Sequence, residues 1–114
     1  MAGGTTFDLS GGTLTGAGNL QVNGALNWTA GTQSGTGNTT VGANATLAIS
    51  GAGTKTLDVR KLTNLGNATW TGTGAINVSN GMQFTNAGTL DVQGTVSMTD
   101  VASGGLFRNT GTLT

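Results

Sequence analysis

A frame that returns every 19 to 23 residues, apolar residues alternating in short runs, and the lack of sustained three-and-four spacing predict an all-β solenoid. The expected form is a single domain, a right-handed parallel β-helix with three short strands per turn and about five turns. The frame is clearest in Leu62-Thr-Asn-Leu-Gly-Asn-Ala-Thr-Trp70, Phe84-Thr-Asn-Ala-Gly-Thr-Leu-Asp-Val92 and Phe107-Arg-Asn-Thr-Gly-Thr-Leu-Thr114, which start 22 and 23 residues apart. An earlier pair, Leu9 to Val22 against Trp28 to Val41, is offset by 19 residues and shares Gly-Thr, Gly-x-Gly-Asn and a closing Val. One such unit cannot bury its apolar face alone, so stacking onto the next unit is what stabilises it.

In chain order the alternating runs are Phe7-Asp-Leu9, Leu20-Gln-Val22, Leu26-Asn-Trp28, Leu47-Ala-Ile49 and Leu57-Asp-Val59. They continue with Ala68-Thr-Trp70, Ile76-Asn-Val78, Met82-Gln-Phe84, Leu90-Asp-Val92 and Val96-Ser-Met98. Alternation sends the apolar member to one side and Asp, Asn, Thr or Gln to the other. Gly-Gly, Asn-Gly, Gly-Ala-Gly and Ser-Asn-Gly separate the runs and mark bends, because Gly and Asn accept positive φ. Aligning the frames makes Leu9, Trp28, Leu47, Trp70, Val92 and Leu113 equivalent positions that open successive turns. A coil of varying length favours the right-handed form over the left-handed hexapeptide solenoid, whose turn is constant. The interior is then expected to hold Leu20, Val22, Leu26, Trp28, Val41, Leu47, Ile49, Leu57, Val59, Leu62, Trp70, Ile76, Val78, Phe84, Leu90, Val92, Val96, Met98 and Phe107.

Composition narrows the setting. The chain has 22 Gly, no Pro, Cys or His, 7% charged residues and a net charge of zero. Zero net charge removes the electrostatic attraction to nucleic acid or anionic lipid. No apolar run approaches the roughly 20 residues of a membrane-spanning helix. Met1-Ala-Gly-Gly lacks the charged and apolar regions of a signal peptide, so the chain reads as a fragment of a longer repeat protein. A Thr- and Asn-rich surface suits a chain tethered outside a cell better than a cytosolic domain, where about a quarter of residues are charged.

The strings Gly16-Ala-Gly-Asn-Leu-Gln-Val22, Gly35-Thr-Gly-Asn-Thr-Thr-Val41, Asn86-Ala-Gly-Thr-Leu90 and Asn109-Thr-Gly-Thr-Leu113 resemble repeats of large bacterial secreted and cell-surface proteins. Those repeats build the right-handed parallel β-helix regions of adhesin-like and autotransporter-passenger-like chains. The resemblance implies a surface-exposed structural role and transfers no catalytic residue or cofactor.

Among the polar residues, Asn64, Asn86 and Asn109 should stack in a column followed by Gly66, Gly88 and Gly111, as a ladder of side-chain amides at a bend. Asp58 and Arg60, beside Lys55 and Lys61, form the one candidate polar surface site and read as a surface ion pair. The acids are Asp8, Asp58, Asp91 and Asp100, with no Glu. Asp58 belongs to a middle strand and Asp91 to an opening strand, so the paired carboxylates of glycoside hydrolysis are not expected. No residue is assigned to catalysis, to a cofactor or to a metal. Trp28 and Trp70 share strand parity with Leu26 and Ala68 and should point inward. The Thr-x-Thr triplets at Thr13, Thr54, Thr69 and Thr112 fall on different strands. Gly16-Ala-Gly18 and Gly35-Thr-Gly37 lack the Lys of a phosphate-binding loop. The leading expectation is a non-catalytic structural or adhesive segment, bacterial and extracellular, that forms homodimers or larger self-assemblies. A carbohydrate-binding or polysaccharide-processing fragment with glycan partners is the alternative, and ice binding a lesser one.

Overall fold

The computed structural model describes residues 5–93, 98–100 and 105–114, without the side chain of Asp100; Val96 of the expected core lies outside these residues. The first turn comprises β1 (Thr6–Leu14) and β2 (Leu20–Val22), and the second β3 (Ala25–Gln33) and β4 (Asn38–Val41). The third is β5 (Thr46–Ile49), β6 (Lys55–Asp58) and β7 (Lys61–Asn64). The fourth is β8 (Asn67–Trp70), β9 (Ile76–Ser79) and β10 (Gln83–Asn86). Then follow β11 (Thr89–Val92), β12 (Met98–Asp100) and β13 (Leu106–Asn109), and β14 (Thr112–Leu113) opens a further pass. About four turns are described throughout and the next in part. Every pairing is parallel, and no helix forms among the described residues.

The stack has three faces. β5, β8, β11 and β14 lie on the first, β6, β9 and β12 on the second, and β2, β4, β7, β10 and β13 on the third. β1 and β3 run round a corner and serve two faces each. In β3, Ala25–Trp28 pairs with β5 while Gly31–Gln33 pairs with β6. Thr6, Ala25, Thr46, Asn67, Thr89 and Thr112 share one column, so successive turns take 19, 21, 21, 22 and 23 residues.

This register corrects the column of turn-opening residues. Trp28 stands beside Ile49, not Leu47, and Leu113 stands beside Leu90, not Val92. Leu26 comes four positions after Val22, but Leu47 comes six after Val41, because a turn at Gly42 to Ala45 is longer. A two-residue slip preserves which side chains face inward, so the core assignment survives it.

The bends change places midway along the stack. In the first two turns Gly16-Ala-Gly18 and Gly35-Thr-Gly37 join the second face to the third. From the third turn on, Gly51-Ala-Gly53 and Gly72-Thr-Gly74 join the first face to the second. Gly72 has φ +84°, and a Cβ there would lie 2.5 Å from the Gly51 carbonyl oxygen, so coils can stack this closely only with Gly. The other bend shortens to Val59 and Arg60, where Val59 has φ +65° and the Arg60 N–H donates to the Asp58 carbonyl at 2.6 Å. This tight turn breaks the two-residue alternation. Val59, expected in the core, turns outward to 37% exposure, and Arg60 takes the inward place.

Columns of buried side chains fill the interior: Leu26, Leu47, Ala68 and Leu90, then Leu9, Trp28, Ile49 and Trp70, then Leu62 and Phe84. Full burial of a Leu, Ile or Phe contributes roughly 1.5–3 kcal/mol, and the columns do so in every turn. Ala45 and Met82 join the core, whereas Leu20, Val92, Met98 and Phe107, near the ends of the stack, are only partly covered.

Candidate functional site

Asn64, Asn86 and Asn109 close the third face one residue before the bend into the next strand, each two residues ahead of a Gly. Asn64 Nδ2 donates to Asn86 Oδ1 at 2.9 Å and to the Thr89 carbonyl at 3.0 Å. Asn86 Nδ2 repeats this one turn on, to Asn109 Oδ1 at 2.8 Å and the Thr112 carbonyl at 2.9 Å. Asn109 Nδ2 turns back to the Gly111 carbonyl at 3.3 Å. The first two carboxamides are fully buried and hold turns together, while Asn109 at the end of the ladder is exposed. In the first two turns Val22 and Val41 occupy its column.

The structure separates Asp58 from Arg60. No surface ion pair forms, because the turn at Val59 sends Arg60 into the bend beneath the two Gly-x-Gly loops. Its Nε donates to Thr39 Oγ1 at 2.7 Å. Nη1 reaches the Gly16 and Ser34 carbonyls at 3.4 and 3.3 Å, and Nη2 those of Gly18 and Asn38 at 3.3 and 3.2 Å. All five guanidinium donors are therefore met by neutral acceptors from the first two turns. Lys55 fills the other set of loops, fully buried, with Nζ donating to the Gly53 carbonyl at 2.9 Å. Burial lowers the pKa of both cations, since the charged forms lose water.

Sequence reading missed the burial of both cations. Lys55 has the inward parity of Leu57, and only the cost of burying an ammonium argued for placing it outside. Arg60 carried no such sign, since its parity depends on one dihedral angle. The Gly-x-Gly pairs, recurring 19 residues apart and then 21, were the available signal of carbonyl-lined bends.

Asp58 lies on the second face and accepts from Ser79 Oγ at 2.9 Å and Asn80 Nδ2 at 2.8 Å. Asp91 lies on the first face and accepts from Gln93 Nε2 at 2.8 Å and Thr114 Oγ1 at 3.1 Å. Asp8 accepts from Asn27 Nδ2 at 2.9 Å. Each of these carboxylates is a tie within or between coils, and no group of three acidic, His or Cys side chains gathers among the described residues. The triplets fall on different faces, but Thr13 and Thr56 stack with Thr32, Asn77 and Thr99 in one outward column of the second face. No protein-family model, curated protein or solved structure matches the chain.

Proposed function

We propose that this chain is a non-catalytic structural segment of a bacterial secreted or surface protein, a solenoid that spaces and displays flat faces for adhesion. One observation carries the reading: five of the eight charged side chains bond within the fold, four of them across coils. Arg60 and Lys55 fill bends, the asparagines link turns, and Asp8, Asp58 and Asp91 bond to neighbouring side chains. The resemblance to repeats of surface proteins supports the same reading. Beads coated with the chain should adhere to host-like or microbial surfaces, while a panel of polysaccharides stays uncleaved. Cleavage of any of them that Asp58→Asn abolishes would sink the proposal.

The threonine column favours a second reading, in which the second face contacts glycan hydroxyls. Retention in affinity electrophoresis that Thr32→Val with Thr56→Val removes would support it. A thermal hysteresis measurement checks ice binding on the same variants. Self-association belongs to the proposal as well. β13 and β14 each pair on one side among the described residues, and Leu106 and Leu113 beside them are exposed. Strand edges of this kind pair readily with another chain. Sedimentation showing only monomer at millimolar concentration would remove that element.

A further inference from the structure

The chain is neutral overall, yet the fold sorts its charged residues by face. Lys55 and Arg60 are buried, so neither cation reaches the surface. Asp8 and Asp91 lie on strands of the first face, and Asp58 and Asp100 on strands of the second. The third face carries Lys61 and Arg108 and no acid. Both are exposed, and neither makes a hydrogen bond or ion pair among the described residues. The carboxylates of Asp8, Asp58 and Asp91 all accept hydrogen bonds within the fold. Among the described side chains, the charge left without a partner is therefore positive and confined to one face. Register sets the layout of that face. Lys61 stands beside Gln83 in one outward column, and Gln21, Thr40, Thr63, Thr85 and Arg108 form the next. Lys61 and Arg108 are two strands and two residues apart, roughly 12 Å between Cα atoms, with Gln83, Thr63 and Thr85 between them.

We propose that the third face binds an acidic polysaccharide, whose anionic groups meet Lys61 and Arg108 and whose hydroxyls meet the polar side chains between them. The guanidinium of Arg108 is a planar fork that takes a carboxylate through two parallel bonds. Threonine hydroxyls both donate and accept, as sugar hydroxyls do. Other anionic partners fit the face less well. Two cations hold an anionic membrane or a nucleic acid duplex only weakly. The aromatic rings of the face, Phe84 and Phe107, share an inward column, so unpaired bases find nothing to stack on. Exposed charge pairs are individually weak, and the repeated groups of a polymer supply the affinity. This partner rests on the adhesive reading of the faces and names what one of them takes.

Polygalacturonate, dextran sulfate, dextran and polyglutamate, each passed over the immobilised chain at low ionic strength, test the proposal. One or both of the acidic polysaccharides should bind saturably, and the better of the two tells carboxylate from sulfate. Raising the salt to about 0.15 M should weaken that binding. Neutral dextran should bind at least roughly tenfold more weakly, and polyglutamate, which has no hydroxyls, about fivefold more weakly. Lys61→Gln and Arg108→Gln should each weaken binding by about two- to fivefold. Neither should change the melting temperature, since neither side chain has a partner to lose. Thr69→Val, on the first face, should leave binding as it is. Unchanged binding in the Lys61 and Arg108 variants, equal binding of dextran, or no polymer bound at all would overturn the site. Loss in Thr32→Val with Thr56→Val would move it to the second face and overturn it as well. Equal binding of polyglutamate would make the partner an acidic peptide and remove the polysaccharide. Beads that adhere while no acidic polysaccharide binds would remove this partner and leave the adhesive reading standing.

Discussion

The first two turns and those that follow are fastened in opposite ways. In the early turns one residue from outside, Arg60 of the third turn, gathers four carbonyls and a hydroxyl across two coils. In the later turns a repeated residue passes one amide bond to the next coil, from Asn64 to Asn86 to Asn109. The first device is singular and charged, whereas the second is periodic and neutral. A singular clamp concentrates stability in one side chain, and a ladder divides it among equals.

Substitutions can break this contrast. Arg60→Ala should have the largest effect, destabilising by on the order of 3–5 kcal/mol, because two or three buried acceptors lose their donor at roughly 1–3 kcal/mol each. Arg60→Lys should recover little of it, since an ammonium cannot reproduce the planar fork. Urea denaturation measures both, and a variant within about 1 kcal/mol of the parent would show that the cage is incidental. Asn86→Ala should cost about 2–3 kcal/mol by removing the buried bonds to Asn64, Asn109 and the Thr112 carbonyl, while Asn109→Ala, at an exposed position, should cost less, under about 1 kcal/mol. Equal losses would mean that the ladder does not act as a chain.

Val59→Gly should stabilise by up to about 1 kcal/mol, because a β-branched residue in the left-handed region costs roughly 1–2 kcal/mol and Gly returns only part of that as entropy. Destabilisation would show that the Val59 side chain contributes packing that outweighs the strain. The finest test is pH. Burial holds the folded Lys55 below its ordinary value of 10.5. Between the folded and unfolded values the unfolded chain binds more protons, so stability should rise with pH up to about 10.5. Lys55→Met should flatten that rise; an unchanged slope would assign it to another group.

The ladder was legible because it repeats. The frame starting at Leu62, Phe84 and Phe107 fixed both the register and the face of the three asparagines. Alternation likewise identified most of the core, including both tryptophans. The Arg60 cage was not legible, since nothing in a period-two pattern reports a single left-handed residue such as Val59. The turn-opening column failed at Leu47 for a related reason: a longer bend changes spacing without changing parity. Periodic features are thus written many times in the sequence, and aperiodic ones only in the fold.

The reach of Arg60 also bears on how such a chain can grow. A coil that begins and ends on the same asparagine is interchangeable with its neighbours, so a block such as residues 67–88 could be duplicated and each copy would meet a matching partner. The early coils lack that freedom. Inserting another turn after residue 41 would lift Arg60 about 4.8 Å from the Gly16 and Gly18 carbonyls and strand them. Lengthening by repeat duplication is therefore easier among the later coils, and the first two, held by a residue from the third, inherit with it as one indivisible block.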